Sequence, residues 1–141
     1  MSESRTHVAL VSEIVSYVGK RYAEHQPLMI LTDAAGVATD AKPPRVNGFV
    51  PDVYAKAVGE SFCIIGEAKT FRDVDREHSL SQLSAFAGHL AKFDSAVLIL
   101  AVPLFSIGFA RSIVRMLRLE EHGVVVECIH EGSTSLEDQH A

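Results

Sequence analysis

Residues 51–69 have the sequence PDVYAKAVGESFCIIGEAK, in which two largely apolar runs flank the pair Gly59-Glu60. Glycine at the first central position of a two-residue loop favours a type II′ turn, a common connection between antiparallel strands. The stretch therefore predicts a β-hairpin, with strands over residues 51–58 and 62–70.

The turn determines which residues of the two strands face each other. If Gly59 and Glu60 form the turn, the register that follows from it places Asp52 directly opposite Glu67. Residues in such a position have Cβ atoms roughly 4.5–5.5 Å apart. Because side chains alternate along a strand, Lys69 lies on the same face as Glu67. Spacing alone thus predicts a cluster of two carboxylates and one lysine.

This cluster is costly as a purely structural feature. Like charges opposite each other in a sheet are destabilising, and two neighbouring carboxylates without a cation raise the pKa of one of them. A divalent cation relieves the repulsion, since Mg²⁺ binds a few carboxylate oxygens together with water and substrate phosphate. A neighbouring ammonium can hold the attacking water and offset charge on the phosphate. The residue types therefore point to metal-assisted hydrolysis of a phosphodiester.

The segments around the hairpin alternate between helical and strand patterns. Apolar residues at spacings of three and four predict helices, and short continuous apolar runs predict buried strands. The predicted helices cover residues 4–24, 75–92 and 106–121, and the further strands cover residues 28–32, 96–102 and 124–129. The apolar stripe of the first helix consists of Val8, Val11, Val15, Val18 and Tyr22.

The last helix carries recognisable end signals, because Ser106 is a candidate N-cap and Gly123 a candidate C-terminal glycine. The resulting order α-β-β-β-α-β-α-β predicts an α/β fold with one mixed sheet. In that sheet the hairpin is antiparallel, the later connections are right-handed parallel crossovers, and helices cover both faces. We expect a single domain over residues 1–130 and a polar tail over residues 131–141.

The letters PD at residues 51–52 and EAK at residues 67–69 resemble the PD-(D/E)xK motif of the restriction-endonuclease-like nuclease superfamily. The order α-β-β-β-α-β over residues 4–102 matches the core of that superfamily, with the last helix and strand as an addition. The run NGFVPDV, residues 47–53, is similar to small Holliday-junction resolvases and to VRR-type nuclease domains. The resemblance implies a restriction-endonuclease-like core and nuclease activity.

The resemblance also implies roles for individual residues. Asp52 and Glu67 would bind Mg²⁺ or Mn²⁺, with the backbone carbonyl of Ala68 as a further ligand. Lys69 would position the attacking water. These residues form the expected catalytic centre.

Two further catalytic candidates follow from the same resemblance. Many family members carry a glutamate on the first helix, for which Glu13 is the best match, and a glutamine near the start of the helix after the third strand, here Gln82. Each has another interpretation. Glu13 lies off the apolar stripe of its helix, as a solvated glutamate would, and Gln82 lies beside the apolar stripe of its helix, where a surface glutamine is equally compatible.

Basic residues bracket the predicted site in sequence and are candidate contacts to a nucleic-acid backbone. These are Lys42, Arg45, Arg72 and Arg76. The last helix carries three more on one face, Arg111, Arg115 and Arg118. These three arginines are compatible with contacts to phosphates, and also with the solvent-exposed side of a helix that binds nothing.

The composition limits the function classes. With 13 basic and 18 acidic residues among 141, the net charge is −5, which argues against a protein that binds nucleic acid over its whole surface. The tail contributes three of the acids and no Lys or Arg, so residues 1–130 carry 13 basic against 15 acidic residues. If Asp52 and Glu67 bind a cation, the remaining charges balance. We therefore expect weak, salt-sensitive binding by the chain alone.

The remaining features indicate a cytoplasmic protein. Cys63 and Cys128 lie in apolar runs without the spacing of a disulfide framework or zinc site. The N-terminus lacks the pattern of a secretory signal. The longest apolar stretch, residues 95–110, is shorter than the roughly 20 residues of a membrane span. We expect no membrane association.

These observations predict a Mg²⁺- or Mn²⁺-dependent endonuclease that hydrolyses DNA and acts as a homodimer, with help from a partner protein as a further possibility. Whether the substrate is DNA or RNA, and whether it is branched, single-stranded or duplex, stays open. One alternative is a catalytically inactive restriction-endonuclease-like domain that binds nucleic acid or protein. Another is a small α/β domain in which Lys69 merely neutralises Asp52 and Glu67.

Overall fold

The computed structural model describes residues 5–25, 27–33, 41–70 and 76–133. Within these residues a five-stranded sheet has the order β1-β2-β3-β4-β5. The strands are β1 (Leu28–Thr32), β2 (Val53–Ala57), β3 (Phe62–Ala68), β4 (Ser95–Ala101) and β5 (Val125–Ile129). The helices are α1 (Arg5–Arg21), α2 (Arg76–Leu90) and α3 (Ile107–Leu117), with 3₁₀ turns at Ala23–His25, Leu104–Ser106 and Leu119–His122.

The sheet is mixed, as predicted. The pairs β1-β2 and β2-β3 are antiparallel, whereas β3-β4 and β4-β5 are parallel. Helix α1 packs on one face, and α2 and α3 pack on the other. Strand β3 is buried along its whole length, which explains its nearly continuous apolar sequence. The predicted α/β fold with helices on both faces is confirmed.

The predicted register of the hairpin is confirmed as well. Val53 faces Gly66 and Lys56 faces Cys63, so the pairing continues towards Asp52 and Glu67. Gly59 lies in the connection and has a φ of +90°, a conformation that favours glycine.

The predicted strand ends were too long. β3 ends at Ala68 and not at residue 70, and β2 ends at Ala57 and not at residue 58. Just before β2, the Asp52 N–H donates to the side chain of Glu67 and not to a strand carbonyl. Both strands therefore stop short of the boundaries that the apolar pattern suggested.

The buried face of α1 differs from the predicted stripe. Val8 and Val15 are only partly buried, while Ile14 is fully buried. The buried residues of the helix are Leu10, Val11, Ile14, Tyr17 and Val18. The helix is therefore rotated relative to the predicted orientation, and Ile14 is at the centre of its contact with the sheet.

Helix α3 ends earlier than predicted. Arg118 has a φ of +52°, which stops the helix at Leu117, and Leu119–His122 continue as a 3₁₀ turn. Ser106 occupies the N-cap position, but its side chain makes no capping hydrogen bond. The N-cap position was therefore predicted correctly, but the side-chain hydrogen bond that an N-cap serine usually makes is absent.

None of the helices in the described ranges combines the length and the apolar character that crossing a bilayer requires. Residues 134–141 of the expected tail, and Arg72, lie outside the described residues.

The close contact between α1 and β3 requires glycine at position 66. A Cβ there would lie 2.5 Å from Cγ2 of Ile14 and 3.2 Å from Cβ of Val53. Both neighbours are fully buried, so neither can move aside without disturbing the core.

We therefore expect Gly66→Ala to lower the free energy of unfolding by about 1–3 kcal/mol, as overpacking does. Gly19→Ala is the matched control, because Gly19 lies in α1, where an added Cβ would meet nothing within 4 Å beyond the helix's own backbone. It should raise stability by up to about 1 kcal/mol through helix propensity. Urea titrations measure both, and a Gly66→Ala protein as stable as wild type would refute this account of the α1 contact.

Candidate functional site

The carboxylates of Asp52 and Glu67 meet at one end of the β2-β3 hairpin. The Asp52 N–H donates to Oε1 of Glu67 at 3.3 Å, and the Ala68 N–H donates to Oδ2 of Asp52 at 2.8 Å. Each carboxylate is therefore held by a backbone donor from the opposite strand. The structure brings the two predicted acids together through the register of the hairpin.

Burial and proximity separate the pKa values of the two acids. Glu67 is only 2% exposed, and burial together with the neighbouring Asp52 raises its pKa well above the ordinary value, which Lys69 offsets only in part. Burial also acts to raise the pKa of Asp52, but hydrogen bonds with Glu67, His7 and the Ala68 N–H outweigh it and lower that pKa. The pair therefore favours one negative charge, with the proton on Glu67.

One oxygen of the pair lacks a donor. Among the described residues, no hydrogen-bond partner reaches the buried Oε2 atom of Glu67. A buried polar atom left in this way costs roughly 1–3 kcal/mol. An acceptor oxygen of this kind, next to a second carboxylate, is chemically suited to a cation.

Lys69 and Gln82 are also brought together. Nζ of Lys69 donates to Oε1 of Gln82 at 2.5 Å, which links the end of β3 to α2. Gln82 is 8% exposed, so its interpretation as a surface glutamine is wrong.

Lys69 does not neutralise the acids by direct contact. Within the described part of the chain it forms no ion pair within 4.0 Å of either carboxylate, and its ammonium is bonded to Gln82 instead. The alternative in which Lys69 serves only to neutralise Asp52 and Glu67 therefore lacks its central contact.

Two residues of the site were missed by sequence reasoning. Nε2 of His7 lies 3.3 Å from Oδ1 of Asp52, and the two side chains are 18% and 22% exposed. Oγ1 of Thr32, at the end of β1, donates to the carbonyl oxygen of Asp52 at 2.8 Å. His7 lies seven residues before Ile14, two helical turns away on the same face. That spacing was a signal for His7, but it required knowing that Ile14 faces the sheet.

Glu13, the predicted glutamate of the first helix, is partly exposed. It lies about 100° around α1 from Ile14, so it does not share the face that carries His7. In the described contacts the first helix approaches the acids through His7.

The predicted nucleic-acid contacts lie on the surface. Lys42 is 79% exposed and pairs with Asp33 at 3.7 Å, and Nη1 of exposed Arg45 donates to the carbonyl of Gly48 at 3.0 Å. Arg76 begins α2, but its side chain is outside the described part of the structure.

Side-chain ligands alone do not complete a metal site here. Across the described ranges, no group of three or more His, Cys, Asp or Glu side chains is arranged to hold a metal ion. The chain matches no protein-family model, no curated protein and no solved structure. Its function is therefore argued from the geometry of this site.

The raised pKa of Glu67 makes the metal-free protein less stable as pH rises. Above the ordinary glutamate pKa, the unfolded chain has released this proton while the folded chain retains it, so the free energy of unfolding falls until the folded-state pKa is reached. We expect Glu67→Gln to have a smaller slope than wild type between about pH 5 and pH 8, and to be the more stable protein at the alkaline end.

Urea titrations in the presence of EDTA at a series of pH values measure these slopes. Glu121→Gln is the control, because Glu121 is exposed and distant in sequence, and it should retain the wild-type slope. Equal slopes for wild type and Glu67→Gln would show that Glu67 does not retain its proton.

Proposed function

We propose that this chain is a metal-dependent nuclease that hydrolyses DNA phosphodiester bonds. The observation that carries the proposal is the buried Oε2 atom of Glu67, which has no donor among the described residues and belongs to a carboxylate paired with Asp52. Once Glu67 loses its proton, a purely structural position would leave this atom uncompensated. A divalent cation between the two carboxylates would compensate it.

The residues present fit Mg²⁺ or Mn²⁺. Asp52 and Glu67 would supply carboxylate oxygens and Ala68 its backbone carbonyl, and substrate and water would complete the oxygen ligands that Mg²⁺ prefers. When bound, the cation would stabilise negative charge on the phosphate and promote ionisation of a water. The small number of protein ligands is compatible with Mg²⁺, which usually retains several water molecules as ligands.

The chain's own residues would orient the reactants. Lys69 carries a positive charge beside the acids, where it can hold a water against the phosphate and offset developing charge. Gln82 holds the ammonium of Lys69 at one position. His7 and Thr32 fix Asp52, through its carboxylate and its backbone carbonyl respectively. Such positioning is what brings a water and a phosphate into reacting geometry.

The element order supports a restriction-endonuclease-like core. The chain runs α1-β1-β2-β3-α2-β4, with Asp52 next to the second strand and Glu67 near the end of the third. This is the arrangement of the superfamily that the motif resembles, and α3 and β5 would be the addition.

The charge distribution supports DNA binding only in limited regions. Lys42 and Arg45 are exposed and belong to the segment that leads into Asp52. Residues 1–130 carry 13 basic against 15 acidic residues and lack a strong attractive field, so a homodimer that presents two sites to two strands would help binding. We therefore propose DNA as substrate, branched or single-stranded forms included, and a homodimer as the active form.

A catalytically inactive binding domain is the second candidate. Asp52 is already bonded to the Ala68 N–H and lies beside His7 without any metal. A protonated Glu67 would also lower the repulsion. Both features allow the cluster to persist without a cation.

Activity distinguishes enzyme from binding domain. We expect cleavage of plasmid, single-stranded or branched DNA in Mg²⁺ or Mn²⁺, and a loss of roughly 100-fold or more in Asp52→Asn and Glu67→Gln, since both remove a charge needed at the reacting phosphate. Gel assays with the exposed-site control Glu121→Gln, which should cleave like wild type, measure this. Equal activity in Asp52→Asn and wild type would eliminate the proposed catalytic centre.

Metal binding is testable without a substrate. A ligand that binds only the folded state raises stability by about 2.7 kcal/mol at a free concentration of 100 times Kd. We expect Mn²⁺ to raise the thermal unfolding midpoint of wild type and of Glu121→Gln, but not that of Glu67→Gln. No rise in wild type at millimolar Mn²⁺ would favour the inactive binding domain.

A further inference from the structure

A cleft lies at the same end of the sheet as the carboxylate pair, the end at which the parallel strands β3, β4 and β5 finish. Its volume is about 470 Å³, within the range of small-molecule sites. Its walls include Tyr17, Leu104, Ile107, Arg111, Cys128 and His130. The cleft thus lies where the carboxyl ends of β4 and β5 meet the N-terminal end of α3.

The strand register relates this cleft to the proposed active site. Glu67 pairs with Leu100, and Leu100 pairs with Cys128, so the three residues form one row across three parallel strands. Cys128 therefore lies two strands from Glu67 on the same face, roughly 10 Å away at the usual strand spacing. One strand of nucleic acid lying across this end of the sheet would reach both positions.

The charge of the cleft suits an anion. Arg111 is exposed, and within the described residues it has no salt bridge or hydrogen bond. Arg111 and Cys128 both line the cleft, and the charge of Arg111 partly offsets the rise in the pKa of the Cys128 thiol that burial and Glu120 cause. No Asp or Glu is among the described residues of the lining. The one fully charged group of the cleft is thus available for a phosphate.

Part of the remaining surface is apolar and could contact a base. Leu104 and Ile107 form part of the wall, and Leu104 is 61% exposed. The Tyr17 hydroxyl donates to Oε2 of Glu127 at 2.7 Å, which fixes the ring at the cleft. A mixed wall with an apolar part at Leu104 and Ile107 and a cation at Arg111 matches a ligand that has a flat ring and a phosphate.

We propose that this cleft binds a nucleotide of the strand being cleaved, with its base against Leu104, Ile107 and Tyr17 and its phosphate on Arg111. This inference rests on the proposed nuclease function. It assigns a role to Arg111 that the sequence left open, and it favours single-stranded nucleic acid, because a paired base is not available to enter a cleft.

Binding of a short single-stranded oligonucleotide in EDTA tests the proposal without catalysis. Fluorescence anisotropy should show a roughly tenfold weaker Kd for Arg111→Gln, the usual effect of losing one charge-assisted contact. Arg115→Gln is the matched control, since Arg115 is exposed one turn further along α3 and is not part of the cleft lining. It should change Kd by less than about threefold, as expected for an exposed charge. Equal effects of the two substitutions would overturn the proposal.

Cys128 offers a second, local measurement. It is partly exposed and lines the cleft, whereas Cys63 is fully buried and serves as an internal control. Alkylation by N-ethylmaleimide, followed by mass spectrometry, should slow several-fold at Cys128 when the oligonucleotide is saturating. An unchanged rate would refute binding at the cleft. Protection by inorganic phosphate equal to that by the oligonucleotide would refute the base contact.

These outcomes are separable from those of the nuclease. If DNA cleavage requires Asp52 and Glu67 but both cleft measurements fail, nucleotide binding at the cleft is refuted and the proposed nuclease activity stands. Positive cleft measurements without metal-dependent cleavage leave a nucleotide-binding cleft in an inactive domain.

Discussion

The pairing of β2 with β3 forces two acidic side chains to one point at the end of the sheet. Val53 opposite Gly66 fixes the register, and the next position towards the strand ends holds Asp52 and Glu67. Shifting the register by one residue would turn every side chain of a strand to the other face, which buried β3 does not tolerate. The repulsion between the acids is thus imposed by the packing of the whole strand, and other groups must compensate for it.

Four elements supply that compensation. Backbone donors from β2 and β3 bond to the two carboxylates, Thr32 of β1 holds the backbone at Asp52, and His7 of α1 contacts its carboxylate. His7 can do so because Gly66 lets α1 approach β3 closely enough for Ile14 to touch its backbone. The helix contact and the site geometry therefore have a common origin, and a change at position 66 would affect both.

The sequence was most informative where one short-range rule acts alone. The glycine turn and strand alternation were enough to predict the register and the meeting of Asp52 with Glu67, and the order of helical and strand patterns was enough to predict the mixed sheet. The rotation of α1 was not predictable in this way, because several apolar residues on that helix compete and the outcome depends on how Ile14 fits against Gly66. His7 was missed for the same reason. The early end of α3 at Arg118 was also hidden, since a non-glycine residue rarely adopts a positive φ.

The position of Lys69 bears on why the cluster exists. If the lysine served only to balance charge, its ammonium would lie against Glu67, whose buried carboxylate most needs a partner. Instead the ammonium is bonded to the neutral oxygen of Gln82, and Oε2 of Glu67 stays without a donor in the described structure. A direct Lys69-Glu67 pair would satisfy both groups at no change in sequence length or fold. Because the Lys69 ammonium is bonded to a third residue, it makes no direct ion pair with either acid in the described structure. A bound metal ion and a water positioned by Lys69 would need this separation of the charges, and simple charge neutralisation would not.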